Sequence, residues 1–251
     1  MKAALRLCLL TAGLLTLWQL LVLLTGAPTY ILPGPGPVAK ALITHLPVLS
    51  KHLGTTLTEI LIGLLLGTLL GTSSAIAMIV SPLLKQWMLP VLVISQAIPV
   101  FALAPVLVLW FGYGMASKIA MAVLIIFFPV TSSFYYGMQR TDPDLLELAR
   151  IMGAKPLAVL RTIIIPSALP AFAAGVRVAT AVAPIGAVVG EWVGSSAGLG
   201  FYMLHANARM QIDVMFAALT LLACASLLLY FLVDHLLDRL IYWQPKQGTN
   251  L

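Results

Sequence analysis

Charge is scarce in this sequence. Only 9% of its 251 residues are Asp, Glu, Lys or Arg and 61% are apolar, whereas ordinary soluble domains carry roughly 25% charged residues. A soluble core cannot absorb that much apolar surface, so the bilayer must solvate most of it. The net charge of +6 includes no basic stripe interleaved with aromatic residues, which argues against nucleic acid as a partner.

Cysteine and histidine are also rare. Cys8 and Cys224 lie in the first and last apolar segments, a placement that suggests neither a disulfide framework nor a metal site. The best metal-like grouping is Asp234, His235 and Asp238, within about one helical turn. We interpret this trio as a solvated helix end, so a membrane enzyme with clustered catalytic residues is disfavoured. We expect no metal, cofactor or catalytic residue in this chain.

Long apolar runs are abundant. A helix needs about 20 mostly apolar residues to cross roughly 30 Å of hydrocarbon, and six segments meet this requirement. We therefore predict an all-α integral membrane protein, with one transmembrane domain over residues 1–251. The predicted spans are about 5–25, 55–80, 88–111, 117–138, 168–192 and 214–240. The first run is longer than the roughly 7–15 residues of a signal-peptide core, so we expect a retained span.

Lys and Arg are unequally distributed between the predicted loops. Of the 14 basic residues, Arg177 falls within a span; with the N-terminus inside, nine of the others lie on the cytoplasmic side and four on the opposite side. Cytoplasmic loops carry the excess of Lys and Arg. The pattern therefore places both termini and the loop 139–167 of this multi-pass protein in the cytoplasm.

Glycine recurs every fourth residue in two predicted spans. Such spacing leaves one helix face without side chains, so that another helix can approach closely. The stripe of the second span is Gly63, Gly67 and Gly71, and that of the fifth is Gly186, Gly190 and Gly194. We predict close helix packing along both.

Polar and small residues at bilayer depth indicate a transport pathway. The fifth span carries two ionisable residues, Arg177 and Glu191, and such residues usually face protein or water. Glu191 is either an interfacial residue at the outer end or a pathway residue; Arg177 is either a tether to the cytoplasmic loop or a transport residue. The candidate pathway residues are Ser95, Gln96, Thr180, Pro184, Ala187 and Glu191.

The cytoplasmic segment from Arg140 to Pro170 has strong local signals. Asp142 and Pro143 are typical of a helix start, and Gly153 is expected to end that helix. Pro156 is expected to start a second one, which Pro166 stops before the fifth span. The apolar face of the first helix comprises Leu145, Leu148, Ala149 and Met152. It has no core of its own to enter, so we predict that it docks in a groove of a partner.

This segment resembles the cytoplasmic signature of permease subunits in bacterial binding-protein-dependent ABC importers. The signature is Glu-Ala-Ala, three residues, Gly, nine residues, Ile, two residues, Pro. The matching residues are Glu147, Ala149, Gly153, Ile163 and Pro166, with a leucine in place of the first alanine. The resemblance implies the type I importer permease fold with six transmembrane helices, and it assigns these residues to coupling with an ATPase.

The resemblance also implies the partners. The permease is expected to form a homodimer in the lipid bilayer of the bacterial inner membrane. It is expected to contact a cytoplasmic ABC ATPase dimer that holds ATP and Mg²⁺, and to receive solute from a periplasmic substrate-binding protein. The mechanism implied is alternating access. No G-x-x-x-x-G-K-[ST] phosphate-binding loop occurs in the sequence, so the ATPase should be a separate chain.

Further segments narrow the resemblance. Leu32-Pro33, Ile98-Pro99 and Trp110-Phe111-Gly112 are similar to the branch that handles sulfonates, taurine, nitrate, riboflavin and thiamine precursors. The stretches 195–200 and 205–211 most resemble permeases for the pyrimidine precursor of thiamine. A sulfonate, nitrate or riboflavin-type solute is the alternative. An ion-coupled secondary transporter is a further alternative, although the repeated halves common in that class are not visible.

Overall fold

The structure is a computed structural model that describes residues 2–243, a part of the chain that consists of helices joined by short connections and contains no strand. The predicted cytoplasmic placement of the C-terminus concerns residues 244–251, outside the described ones. The helices are α1 (Lys2–Thr25), α2 (Pro35–Val80), α3 (Pro82–Ala97), α4 (Val100–Phe111), α5 (Met115–Gln139), α6 (Pro143–Ile151), α7 (Pro156–Val159), α8 (Ile165–Gly194), α9 (Leu199–Ala208) and α10 (Ile212–Leu240).

The predicted spans correspond to α1, α2, the α3–α4 pair, α5, α8 and α10. Four helices are long and apolar enough to cross a membrane: α2, α5, α10 and the continuous helix Pro156–Gly194, which includes α8. The α3–α4 pair would be a fifth span if its two helices are counted together. α1 contains a shorter apolar segment, Thr11–Thr25. The all-helical membrane architecture is therefore confirmed, whereas the number six stays a prediction that depends on α1 and on the α3–α4 pair.

The second span begins far earlier than expected. α2 starts at Pro35 rather than near residue 55, and its 46 residues extend about 69 Å at 1.5 Å per residue. Its first half is buried against α9 and α10 through Val38, Ala41 and Leu49. Helix continues through Pro47, because contacts made with residues some 160 positions away outweigh a proline's local preference.

The third predicted span is not one helix. α3 and α4 meet at an angle of 106°. Proline lacks an amide hydrogen and pushes the preceding residue out of the helical region. Ile98, which precedes Pro99, is accordingly extended, with φ −84° and ψ 121°. This pair is a broken span or a re-entrant loop, so the segment 88–111 is not one continuous helix and its role as a span stays a prediction.

The segment between α5 and α8 forms the expected short helices, with one correction. Asp142 caps α6 by accepting from the N–H of Asp144 at 2.9 Å, and Gly153 after it has a φ of +70°. Pro166, however, does not stop the next helix. Residues 160–164 form π-helical turns, in which the N–H of Ile165 bonds to the carbonyl five residues back. The wider turn leaves room for a proline ring, so helix continues from Pro156 to Gly194.

α5 lies at the centre of the bundle and makes the most extensive helix contacts, with α8 on one side and α2 on the other. The core between these helices is built mainly from small residues, including Ala122, Ala179, Ala183 and Ala187, all fully buried. Small side chains let helix backbones approach closely in a membrane, where packing rather than hydrophobicity holds helices together.

Candidate functional site

The glycine stripe of α2 packs on α5. A Cβ built on Gly63 would lie 2.5 Å from the Cβ of Ala122, and one on Gly67 would lie 2.6 Å from a methyl of Ile126. Gly71 meets Val130 at 3.0 Å in the same way. Since non-bonded carbons need about 3.5–4.0 Å, these three positions have no room for a side chain.

The stripe of α8 faces the same helix. A Cβ on Gly186 would lie 2.8 Å from the Cα of Ala122, and one on Gly190 would lie 3.1 Å from the Cα of Lys118. Gly194 instead meets Val108 of α4 and Tyr113 in the α4–α5 loop. The two stripes therefore enclose α5 between α2 and α8 along most of its length.

Arg177 pairs with the last helix. Its guanidinium donates to Asp234 at 2.5 Å and to Asp238 at 2.6 Å. It is therefore a tether between α8 and α10, and not to the cytoplasmic loop. The two aspartates of the metal-like trio are thus engaged by an arginine, and among the side chains that the structure describes no group of three or more His, Cys, Asp and Glu could hold a metal ion.

Glu191 is buried at the junction of α8 and α9, only 1% exposed. Its Oε1 accepts from the hydroxyl of Thr56 at 2.6 Å. Its Oε2 accepts from the backbone N–H of Gly200 at 2.5 Å and of Phe201 at 3.4 Å. Gly198, with φ +107°, wraps so closely that a Cβ there would overlap the carboxyl group. Glu191 therefore binds the start of α9 and is shielded from solvent within the protein.

The remaining N–H groups at the start of α9 bond to α2. Gly198 donates to Nδ1 of His52 at 3.0 Å, and Leu199 donates to the hydroxyl of Thr56 at 2.8 Å. Four successive donors, which a helix start leaves without intrahelical partners, are thus satisfied by side chains of α2 and α8. We refer to His52, Thr56, Glu59, Lys118 and Glu191 as the α9 junction.

Lys118 and Glu59 complete this junction and are buried as deeply, at 2% and 1% exposure. The ammonium of Lys118 donates to the carbonyls of Tyr113, Gly114 and Gly194 at 2.8–3.0 Å. Glu59 lies three residues after Thr56 on α2, and its Oε2 has no hydrogen-bond partner. Sequence reasoning missed both residues, as well as His52 and Thr56. Their signal was present, because the spacing of His52, Thr56 and Glu59 puts all three on one face of a helix.

A cavity of about 460 Å³ opens between α3, α4, α5 and α8. Of the candidate pathway residues only Gln96 lines it. The hydroxyl of Ser95 bonds back to the carbonyl of Leu92, and the α8 candidates Thr180, Pro184 and Ala187 are buried in helix contacts. The cavity wall contributed by α8 is the neighbouring face: Val178, Val182, Ile185 and Val189.

The α6–α7 segment exposes an apolar surface at the opposite end of the bundle from the α9 junction. Ile151 and Met152 are 78% and 76% exposed, whereas Ala149, expected on the same face, is buried. Glu147 is exposed and lines a groove of about 650 Å³ with Arg150. Of the other three positions of the signature, Gly153 is exposed, and Ile163 and Pro166 are half-buried within and just after the π-helical turns. We call Leu145, Leu148, Ile151, Met152 and Leu157 the α6 surface.

Comparison with known proteins identifies relatives over nearly the whole chain. A probable ABC transporter permease protein of Haemophilus influenzae is 56% identical over 93% of this chain and 96% of its own length. The formylaminopyrimidine transport permease protein ThiX of Halalkalibacterium halodurans is 36% identical over 93% and 94%. The riboflavin transport system permease protein RibX of Chloroflexus aurantiacus is 40% identical over 93% and 88%.

The fold is similar to that of a solved transporter. A chain of the inward-facing MetNI methionine ABC transporter superposes with a TM-score of 0.67 and 19% sequence identity, over 78% of this chain and 97% of that one. The predicted type I permease fold is thereby confirmed. Residues 63–242 match the family of binding-protein-dependent transport system inner membrane components. The chain belongs to that family and is a multi-pass ABC importer permease subunit of the inner membrane.

Proposed function

We propose that this chain forms a homodimeric permease that imports a pyrimidine precursor of thiamine, of the hydroxymethyl- or formylaminopyrimidine type. A periplasmic protein delivers the solute, and a separate ABC ATPase dimer supplies the energy with ATP and Mg²⁺. The α6–α7 end faces the cytoplasm and the α9 junction faces the periplasm, as the excess of Lys and Arg on the α6–α7 side supports.

The α6 surface supports the assignment of the coupling role. Exposed leucine, isoleucine and methionine side chains on a short amphipathic helix are typical of a helix that docks in a groove. Glu147 and Arg150 border this surface and add charges that can fix its register. Helix runs without interruption from Pro156 into α8, so a force applied at α6–α7 reaches the centre of the bundle through a rigid element.

The relatives support a neutral nitrogen heterocycle as the substrate class. The relative named for riboflavin is 40% identical over 93% of this chain, and the relative named for formylaminopyrimidine is 36% identical over 93%. The likeness of the stretches 195–200 and 205–211 to permeases for the pyrimidine precursor of thiamine favours the pyrimidine as the solute. The cavity between α3, α4, α5 and α8 is compatible with that solute. Its wall has the aromatic rings of Phe101 and Phe128 and the amide of Gln96, and no charged residue is among those that line it. A neutral aromatic ring can leave water for such a wall, whereas a sulfonate or nitrate anion would lose its hydration without a counter-charge.

Uptake measurements test this proposal. The permease, its ATPase and its binding protein are reconstituted in proteoliposomes, and ATP-dependent uptake of labelled formylaminopyrimidine, riboflavin and taurine is compared. We expect uptake of the pyrimidine alone. Gln96→Ala should raise the KM for uptake several-fold, because the amide is the hydrogen-bonding group of the wall. Ser95→Ala is the matched control and should change little, because that hydroxyl bonds to its own helix.

The outcomes separate the two levels of the proposal. Uptake of riboflavin or taurine in place of the pyrimidine would overturn the substrate class and leave the permease assignment intact. Equal KM values in Gln96→Ala and wild type would show that the cavity is not part of the transport pathway.

A further inference from the structure

A second cavity, of about 250 Å³, lies between α5 and α8 on the side towards α6. The cavity of about 460 Å³ described above ends at Pro129 of α5 and Val178 of α8. The second cavity begins four residues away on each helix, at Ser133 and Ala174. Residues four apart lie on the same face of a helix. The two cavities are therefore successive parts of one groove between α5 and α8.

The groove changes from apolar to polar towards its α6 end. Valine, isoleucine and phenylalanine form most of the first wall, whereas the second cavity is lined by Ser133, Tyr136 and Arg140. Its floor is made of small residues. A Cβ built on Gly137 would lie 2.6 Å from the Cβ of Ala171, so the two helices touch there. The three polar side chains thus stand around an open space instead of packing against a neighbour.

These polar groups have no partner among the residues that the structure describes. Neither the hydroxyls of Ser133 and Tyr136 nor the guanidinium of Arg140 makes a hydrogen bond there, and the ion pairs in residues 2–243 all belong to Arg177. The neighbouring Ser132 differs, because its hydroxyl donates to its own helix at 2.8 Å. Tyr136 is 50% exposed. One ring and three hydrogen-bonding groups are therefore available to a ligand at this end of the groove.

We propose that Ser133, Tyr136 and Arg140 form a second binding site for the imported solute, which the solute occupies as it leaves the groove on the cytoplasmic side. This inference rests on the proposed function. A planar heterocycle can stack on the ring of Tyr136. Its ring nitrogens and carbonyl oxygen can accept from Arg140 and Ser133.

The size of the site favours a small solute. Its volume of about 250 Å³ is below the roughly 300–1,000 Å³ of ordinary ligand pockets. That space suits a single pyrimidine ring better than the three fused rings of riboflavin. A guanidinium with two hydroxyls would also suit a phosphate group, but a phosphate has no use for an exposed aromatic ring. The contribution of Tyr136 therefore distinguishes the two ligands.

Protection of an introduced cysteine tests the site in the whole transporter, held in phosphatidylcholine nanodiscs that leave both faces accessible. In a background without the native cysteines, Ala174→Cys places a thiol on the exposed wall of the cavity. Formylaminopyrimidine should slow its reaction with a water-soluble thiol reagent in a saturable manner. Gln86→Cys is the control. Gln86 is exposed at the same end of the bundle, next to Lys85, which lies over the Tyr135 ring, and its reaction should not change.

Variants of the site give the chemistry of the ligand. Arg140→Ala should raise the concentration of formylaminopyrimidine needed for half-maximal protection about tenfold, the effect of losing a hydrogen bond to a charged group. Tyr136→Ala should also raise it, whereas Tyr136→Phe, which keeps the ring, should change it less. Inorganic phosphate, or phosphatidylglycerol in the nanodiscs, should give no protection.

The outcomes separate this site from the proposed function. Uptake of the pyrimidine without protection of Ala174→Cys would overturn the site and leave the proposed function standing. Protection by phosphate or phosphatidylglycerol in place of the pyrimidine would also overturn it and assign the cavity to a phosphate group. Uptake of another solute would overturn the proposed function. The site then stands only if that solute protects Ala174→Cys and Arg140→Ala weakens the protection.

Discussion

The contact between Gly63 and Ala122 offers the sharpest test of how the bundle is held together. In Gly63→Ala the new methyl would lie 2.5 Å from the Cβ of Ala122, against a comfortable separation of about 3.5–4.0 Å. α2 and α5 must therefore move apart by about 1 Å at this point. Overpacking of this kind costs about 1–3 kcal/mol, whereas the change from glycine to alanine favours an isolated helix by about 1 kcal/mol.

Gly54→Ala separates these two terms. Gly54 belongs to the same helix, and nothing lies within 4 Å of the Cβ it would gain. This variant should keep the helical gain without the clash, so it should be as stable as the wild type or more so. Gly63→Ala should be less stable than Gly54→Ala by about 1–3 kcal/mol, the overpacking cost. The measurement is the temperature at which the detergent-solubilised protein loses its monodisperse elution peak.

A double variant tests the assigned contact itself. In Gly63→Ala/Ala122→Gly the methyl group moves from α5 to α2, and the clash is removed. The contact of Ala122 with Gly186 involves the Cα of Ala122, so it survives. We expect a favourable coupling of about 0.5–3 kcal/mol between the two changes. Equal stability of Gly63→Ala and Gly54→Ala, or additive effects in the double variant, would refute the close packing of α2 on α5.

Three further predictions concern coupling, pathway and tether. Gly153→Asp should insert normally but lose co-purifying ATPase, because a side chain at φ +70° strains the bend after α6 and adds charge beside the α6 surface; unchanged co-purification and transport would contradict this. In a background without the native cysteines, Val182→Cys should react with water-soluble thiol reagents, and its reactivity should change when ATP is trapped. Ala187→Cys should stay unreactive, because Ala187 is fully buried. A reactive Ala187→Cys beside an unreactive Val182→Cys would place the pathway on the other face of α8. Arg177→Met should lower the unfolding temperature because it leaves Asp234 unpaired. Adding Asp234→Asn to that variant should recover part of the loss. Unchanged unfolding temperatures in both variants would show that the ion pair does not stabilise the protein.

The sequence by itself determined the solvent and the general architecture. Hydrophobic runs of more than 20 residues leave few alternatives to membrane helices, so α5 and α10 begin and end within about two residues of the predictions for 117–138 and 214–240. The α6 helix was equally predictable, because its cap at Asp142, its proline and its terminal glycine are local signals. The family signature depended on the same short segment.

Tertiary structure alone decided where those helices meet. The glycine stripes indicated close packing, but nothing local reveals that both contact α5, since a bare helix face suits any partner. The first half of α2 and all of α9 are helical because of contacts with residues distant in the chain. The candidate pathway residues of α8 were chosen for polarity and size, and the fold turned them towards α5 and left the neighbouring valine face on the cavity.

The α9 junction was the least predictable feature. A buried carboxylate is costly alone, and only the approach of Thr56 from α2, Lys118 from α5 and Gly200 from α9 makes Glu191 tolerable there.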